Sequence, residues 1–371
     1  MRGEVEHSIG GPARHPRDRP RHHHRVQRGV ELPSPELLRI QIHTHLRSTS
    51  NPVDATVPRH KDRGTEDATT REVRVGDHDE ILQGATAIGR RHSVPPQDVA
   101  EVAGGVANRG FVLGEALFLR VARPGFEDDL RKEAGVVPVA RSLGVLTPAV
   151  VEYDDSRGLV DAPYVVMERV HGVEPVGVPV GLGEQLARLH RAERIDLPGV
   201  PQDERDDPWR TVDDLAERGY LDLGTAKWLS GWFTRLADRF DRGEPTVLIH
   251  GDVASHNLLT GPDGGLRALV DWGDAAWAPR GMDFAKLPLE HVAAILPEYL
   301  GETRATAIGV APREEEIAAA TLWFHLDWGL GKLAAEPSPG RRHWTAPPGS
   351  RILGLLRFFA AGPPAAWSTL T

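Results

Sequence analysis

The chain is predicted to be an α+β protein of two lobes, a small N-terminal antiparallel β-sheet lobe plus helix and a larger, mainly helical C-terminal lobe. Three observations predict it. Short apolar runs separated by glycines and polar turns crowd residues 99–166. Apolar residues at helical spacing dominate from residue 183 onward. Within that second region, residues 247–274 return to strand character, and the runs 247–249 and 266–270 each lead into a polar cluster carrying carboxylates. Strands gathered before helices are the α+β arrangement. A length of 371 residues exceeds the usual single domain, which leaves room for an extension beside a two-lobed body.

Composition bounds the function. A hydrophobic share of 40% supports a core, and a net charge of −9 argues against nucleic acid as a partner, which calls for a clustered basic surface. There is no cysteine, so disulfides, thiolate catalysis and cysteine-ligated zinc are excluded. The sequence has no apolar run of about eighteen residues, and its start lacks the apolar core of a signal peptide. A cytoplasmic protein without a membrane partner is the expectation.

Residues 1–77 are rich in Arg, His, Pro, Ser and Thr, too poor in large apolar side chains to offset ordering entropy, and are predicted to be a disordered extension. Ser34 followed by Pro35 could start one short helix there. His22, His23, His24, His43 and His45 lack an acidic partner or scaffold and read as a solvated basic tail rather than a metal site.

The first lobe is expected over residues 78–170. Ile81, Leu82, Ala85 and Ile88 follow helical spacing until Val94-Pro95-Pro96 breaks it. Strands follow at 99–103, 111–113 and 116–122, then a helix over 126–143 that contains Glu133, then strands near 147–152 and 162–166. In the third strand Leu117, Leu119 and Val121 alternate with Phe118, Arg120 and Ala122, so Arg120 stands on the face opposite the aliphatic residues. The segment 104–110 carries Gly104 and Gly105 at a turn, where backbone N–H groups can approach phosphate, but it lacks the Lys-Ser/Thr ending of a P-loop.

The second lobe, residues 171–371, shows helical spacing over 183–193, through Val212, Leu215 and Leu221, over 226–240, and again near 292–299, 313–335 and 352–359. His190 is expected to pack rather than to react. The chemistry sits at residues 250–274. Asp252, Asn257 and Asp271 are oxygen-bearing side chains at strand ends, the hard donors Mg²⁺ prefers while it keeps water and substrate phosphates in its shell. An Asp, an Asn five residues later and a carboxylate after the next strand is the catalytic-loop order of kinases, in which the first Asp receives the substrate proton and the other two hold metal.

His250-Gly251-Asp252, Asn257, Asp271-Trp272 and the later Asp283 resemble the core motif of the aminoglycoside phosphotransferase and choline kinase group, whose fold is protein-kinase-like. The resemblance implies ATP with Mg²⁺ and a small-molecule hydroxyl acceptor. It implies that Gly104, Gly105 and Asn108 belong to the nucleotide loop, and that Glu168 to Val170 supply backbone groups to adenine. It also implies that Arg120, paired with Glu133, clamps the phosphates where protein kinases use Lys; Arg123 falls on the opposite face. Asp283 is expected to stabilise the catalytic loop. The C-terminal helices would line the acceptor pocket, with Trp323, His325, Asp327 and Trp328 as candidates.

The resulting expectation is an ATP-dependent small-molecule kinase acting on an aminoglycoside-like antibiotic, an amino alcohol or a sugar. A protein kinase is disfavoured because position 254 is Ala, where Ser/Thr kinases carry Lys, and because no Ala-Pro-Glu follows Asp271-Trp272-Gly273. A nucleotide-binding regulatory protein without transfer is the alternative from a different class. A histidine-metal hydrolase fails on spacing, since His250 and His256 are not four apart.

Overall fold

The structure is a computed structural model that describes residues 75–102, 107–202, 207–306, 312–334 and 348–370. The extension predicted over 1–77 lies outside the described residues except for its last three positions, which open the first helix, α1 (Val75–Arg91).

The small lobe is a five-stranded antiparallel sheet of β1 (Val99–Val102), β2 (Asn108–Leu113), β3 (Leu117–Ala122), β4 (Val150–Asp154) and β5 (Tyr164–Glu168), in the order β1-β2-β3-β5-β4. Its alternation decides where the charged side chains go. Leu119, Val121 and Phe111 are buried on one face with Ala85 and Ile88 of α1. Val165, Met167 and Ala122 are buried on the other with Leu130 of α2 (Glu127–Ser142). Arg120 pairs with Val165 across β3 and β5, so period two turns it toward α2. The first turn of α2 carries Glu127, Asp128 and Asp129, which complement the positive end of the helix dipole.

The strands differ from expectation at their edges, for a reason visible in the chain. Residues 147–149, read as strand, precede β4: Leu146 gives its carbonyl to Leu269 of the other lobe, at 2.8 Å, and Pro148 has no N–H to give a ladder. Pro163 likewise holds the start of β5 back to Tyr164, while its carbonyl accepts from Ala122 at 2.9 Å.

In the large lobe α3 (Leu182–Leu189) packs on α7 (Leu289–Thr306). A Cβ at Gly183 would collide with the Ile295 carbonyl, so the close approach needs glycine. Two helices, α4 (Pro208–Glu217) and α5 (Leu223–Ala237), are N-capped by Asp207 and Asp222, which is why α5 starts three residues before the predicted Ala226. The central helix α8 (Glu314–Gly331) is apolar nearly all round and is enclosed by its neighbours. α9 (Pro348–Ala360) and α10 (Ala365–Ser368) close the lobe, with Trp367 fully buried. The strand pairs β6 (Val247–Ile249) with β9 (Ala276–Ala278) and β7 (Leu258–Thr260) with β8 (Leu266–Leu269) carry the polar loops; α6 (Gly281–Phe284) follows β9. No described helix is long and apolar enough to cross a membrane.

Candidate active site

The loop from β6 to β7 is shaped by one carboxylate that is not itself displayed. Asp283, on α6 and 1% exposed, accepts from the backbone N–H groups of His250 at 3.0 Å and Gly251 at 2.8 Å. His190 Nε2 bonds the same carboxylate at 3.0 Å while its Nδ1 meets the Tyr299 hydroxyl at 2.9 Å. His190 is thus packed, as its sequence context suggested. Gly251 has φ +80°, and a Cβ there would overlap the Asp274 carbonyl, so only glycine allows the turn. Asp252 follows, with Oδ1 in an ion pair and Oδ2 in a hydrogen bond. Oδ1 lies 2.9 Å from Lys286 Nζ, and Oδ2 accepts from Asn257 Nδ2 at 2.9 Å with His256 Nε2 at 3.6 Å. Asn257 Nδ2 also donates to the Asp252 carbonyl at 2.9 Å, which leaves its buried Oδ1 without a partner among the described residues.

Asp271 ends the run after β8 with φ 65° and ψ 75°, a left-handed conformation uncommon for a residue with a Cβ and concentrated at functional sites. His250 braces this turn by stacking on Trp272, 4.6 Å between ring centroids, and by bonding the Val270 carbonyl at 3.1 Å. The remaining support comes from the small lobe. Arg120 Nη1 donates to both Glu133 oxygens at 2.6 Å, and Nη2 donates to Asp271 Oδ1 at 2.9 Å. With its amide turned to suit its neighbours, Asn108 accepts from Arg120 Nη2 at 2.7 Å and donates to the Ala107 carbonyl at 3.2 Å. Asp271 keeps 36% of its side chain exposed, against 12% for Arg120 and 3% for Glu133, so it is the most open member of the cluster.

Burial opposes every charge here, and the pairings override it. Burial would raise Asp252, but the Lys286 ammonium, helped by His256, holds the carboxyl well below the usual range. Asp271 is likewise raised by burial yet kept low by Arg120, with the charge of Asp252 pushing the other way. Burial also works against the Arg120 guanidinium, but Asp271 and Glu133 keep it firmly protonated. Burial lowers the Lys286 ammonium, and Asp252 and Asp274 more than restore it.

The structure therefore gathers members of the predicted set into two side-chain clusters, Asp252 with Asn257 and Asp271 with Arg120, Glu133 and Asn108, joined through the backbone by the Val270 N–H donating to the Asn257 carbonyl at 3.0 Å. Gly104 and Gly105 lie outside the described residues. Glu168 ends β5 with its N–H committed to the Ala149 carbonyl at 2.8 Å and its carboxylate on the Ala149 N–H at 3.0 Å. Val170, half-buried, has no backbone hydrogen bond among the described residues. Of the acceptor-side quartet, Trp323 sits in an aromatic cluster with Trp209, Phe233 and Phe240. His325 is 3% exposed. Trp328 is stacked by Arg351, 4.0 Å from guanidinium carbon to ring centroid. Sequence reading did not single out Lys286 or Asp274, which lie 3.4 Å apart beside Asp252. The only signal was a cation three residues past Asp283.

Among the described residues no three His, Asp or Glu side chains gather as a metal cage. Among solved structures, the GDP complex of wild-type aminoglycoside 2'-phosphotransferase-IIIa is 18% identical, with a TM-score of 0.53 over 75% of this chain and 98% of that one. A choline/ethanolamine kinase family protein from Mesorhizobium loti is 19% identical, with a TM-score of 0.51 over 80% of this chain and 97% of its own. At these identities the likeness is one of fold. No curated protein matches in a sequence search. The profile of the Phosphotransferase enzyme family matches residues 98–318, more than half of the sequence, and the chain belongs to that family.

Proposed function

We propose that this family member is an ATP-dependent kinase that transfers the γ-phosphoryl group to a hydroxyl of a small molecule, an amino alcohol, a sugar or an aminoglycoside-like compound. The observation that carries the reading is the Arg120 guanidinium held on Glu133 and Asp271 at once, which links the small lobe to the loop that follows β8. A cation so fixed is what phosphoryl transfer needs against the nucleotide phosphates.

Residues 78–170 serve the nucleotide in this reading, through the loop containing Gly104, Gly105 and Asn108, through Arg120 positioned by Glu133, and through backbone groups at Glu168 to Val170. Residues 171–371 serve the acceptor, and residues 1–77 are an extension. Asp252 orients the acceptor hydroxyl and accepts its proton as the hydroxyl oxygen forms a bond to the γ-phosphorus. The bond from that phosphorus to the β–γ bridging oxygen breaks, and its electrons leave with ADP. The donor set fits Mg²⁺: Asn257 has an orphaned buried oxygen, and Asp271 has an open carboxylate held in place by its turn. When bound there the ion supplies charge neutralisation to the phosphates. Mg²⁺ bound there would complete its shell with water and substrate phosphates.

Nucleotide consumption with Mg²⁺, ATP and GTP in separate arms, against a panel of aminoglycosides, macrolides, amino alcohols and sugars, tests the reading with Asp252→Ala as control. Stimulation by one class that disappears in Asp252→Ala supports it; equal turnover by Asp252→Ala sinks it.

A further inference from the structure

Lys286 lies two residues beyond α6, and its side chain is 10% exposed. Its ammonium sits 2.9 Å from Asp252 Oδ1 and 3.4 Å from Asp274 Oδ2, so one cation ties the loop after β6 to the turn after β8. On the far side of the Asp252 carboxylate, Asn257 and His256 hold Oδ2. An ion pair on Oδ1 and a hydrogen bond on Oδ2, from separate elements, restrain the carboxylate from both sides. Position 254, two residues past Asp252, brings no charge, because it is a buried Ala. The neighbouring cation Arg351 feels the charge of Asp252 but makes no ion pair among the described residues; it donates to the Ala285 carbonyl at 2.5 Å and stacks on Trp328.

We propose that Lys286 is a positioning residue for phosphoryl transfer, clamping the Asp252 carboxylate from outside the catalytic loop and so supplying the cation that the loop lacks at Ala254. The proposal rests on the reading of Asp252 given above. A carboxylate held through Oδ2 alone spends less time aligned on the hydroxyl, and small misplacements cost orders of magnitude in rate. Simple neutralisation of Asp252 and Asp274 is the competing, purely structural role. It predicts lost stability and weakened binding together, whereas positioning predicts lost turnover alone.

The chain has no cysteine, so Lys286→Cys introduces a single thiol, and 2-bromoethylamine then restores an ammonium at nearly lysine length. Wild type, Lys286→Met, Lys286→Cys before and after alkylation, and Asp252→Asn are compared in the full chain. Three quantities are read: kcat for ATP hydrolysis, which requires no identified acceptor, the Kd for Mg·ADP, and the thermal midpoint. Lys286→Met and unalkylated Lys286→Cys are expected to lose about 10- to 100-fold in kcat with the Kd for Mg·ADP changed less than about 3-fold. Alkylation is expected to recover at least about 10-fold. The proposal is overturned if kcat in Lys286→Met stays within about 3-fold of wild type, or if its loss comes with an equal loss of Mg·ADP affinity that alkylation leaves unrepaired. Asp252→Asn separates the two failures. An active Asp252→Asn sinks the kinase reading, whereas an inactive one beside an active Lys286→Met sinks only the role of Lys286.

Discussion

Asp252 and Asp271 face the same space, yet they are restrained from opposite directions. Asp252 is held wholly by the large lobe, through Asn257 and His256 in its own loop and Lys286 just past α6. Asp271 is held across the lobes, through an Arg120 that itself leans on Glu133 of α2. The first arrangement keeps its geometry whatever the lobes do. The second exists only while the small lobe is seated, so Asp271 reports lobe arrangement and Asp252 does not. That division suits a reaction in which one group must find a hydroxyl and another must grip a phosphate chain.

The largest effect that can break this comparison is expected from Arg120→Ala. It removes the only described cross-lobe ion pair to Asp271 and strands Glu133, whose side chain is 3% exposed, so a loss of about 3–5 kcal/mol is expected on urea denaturation. Mg·ADP affinity should fall with it, on the order of 10-fold or more, each 1.4 kcal/mol being one decade. Arg120→Lys should keep the charge but recover only part of both, since an ammonium cannot reach Glu133 and Asp271 as a fork. Unchanged Mg·ADP binding in Arg120→Ala would mean that Asp271 does not depend on the small lobe.

Asp283→Asn tests the other side with a smaller effect. Two backbone N–H groups and His190 converge on this carboxylate, and its replacement should loosen the loop carrying Asp252. Turnover is expected to drop about 10- to 100-fold, as for a misplaced catalytic group, while titration with Mg·ADP changes little. A parallel loss of nucleotide affinity would erase the distinction between the two regions.

The smallest effect concerns pH and the large lobe alone. His325 is 3% exposed, and burial together with the charge of Arg351 pushes its imidazole down to about 3. The backbone at Phe284 and Leu287 favours the charged form, but neither ring nitrogen makes a hydrogen bond of good geometry among the described residues. Below the unfolded value of about 6.5 the unfolded chain binds the proton that the folded chain refuses, so stability is full above that pH and falls as pH drops toward about 3. Urea midpoints between pH 7 and pH 4 should show a shallower decline in His325→Gln than in wild type; identical slopes would remove His325 from the account.

The same contrast explains what was legible in the sequence. Asp252, Asn257 and Asp271 sit within one short stretch whose strands and turns fix their order, so residue types and spacing were enough to expect them near one another. Arg120 and Glu133 could be matched because period two in β3 and the helix that follows leave few faces for a charge. Lys286 could not, because nothing in Asp283-Phe284-Ala285-Lys286 says that the segment after α6 folds back onto the catalytic loop. Trp323 took the more ordinary of the two readings open to an aromatic on a C-terminal helix, packing against Trp209, Phe233 and Phe240 in the core. Strand edges drifted by two or three residues where Pro148 and Pro163 interrupt donors that only the paired sheet makes visible.

The central claim is that Asp252 serves transfer and Asp271 serves the bound nucleotide, and the most direct test measures kcat and the Kd for Mg·ADP side by side in Asp252→Asn and Asp271→Asn. The account predicts that Asp252→Asn loses about 10²- to 10⁴-fold in turnover with nucleotide affinity nearly intact, and that Asp271→Asn loses affinity as well as turnover. Equal losses of affinity in both variants, or wild-type turnover in Asp252→Asn, would contradict it.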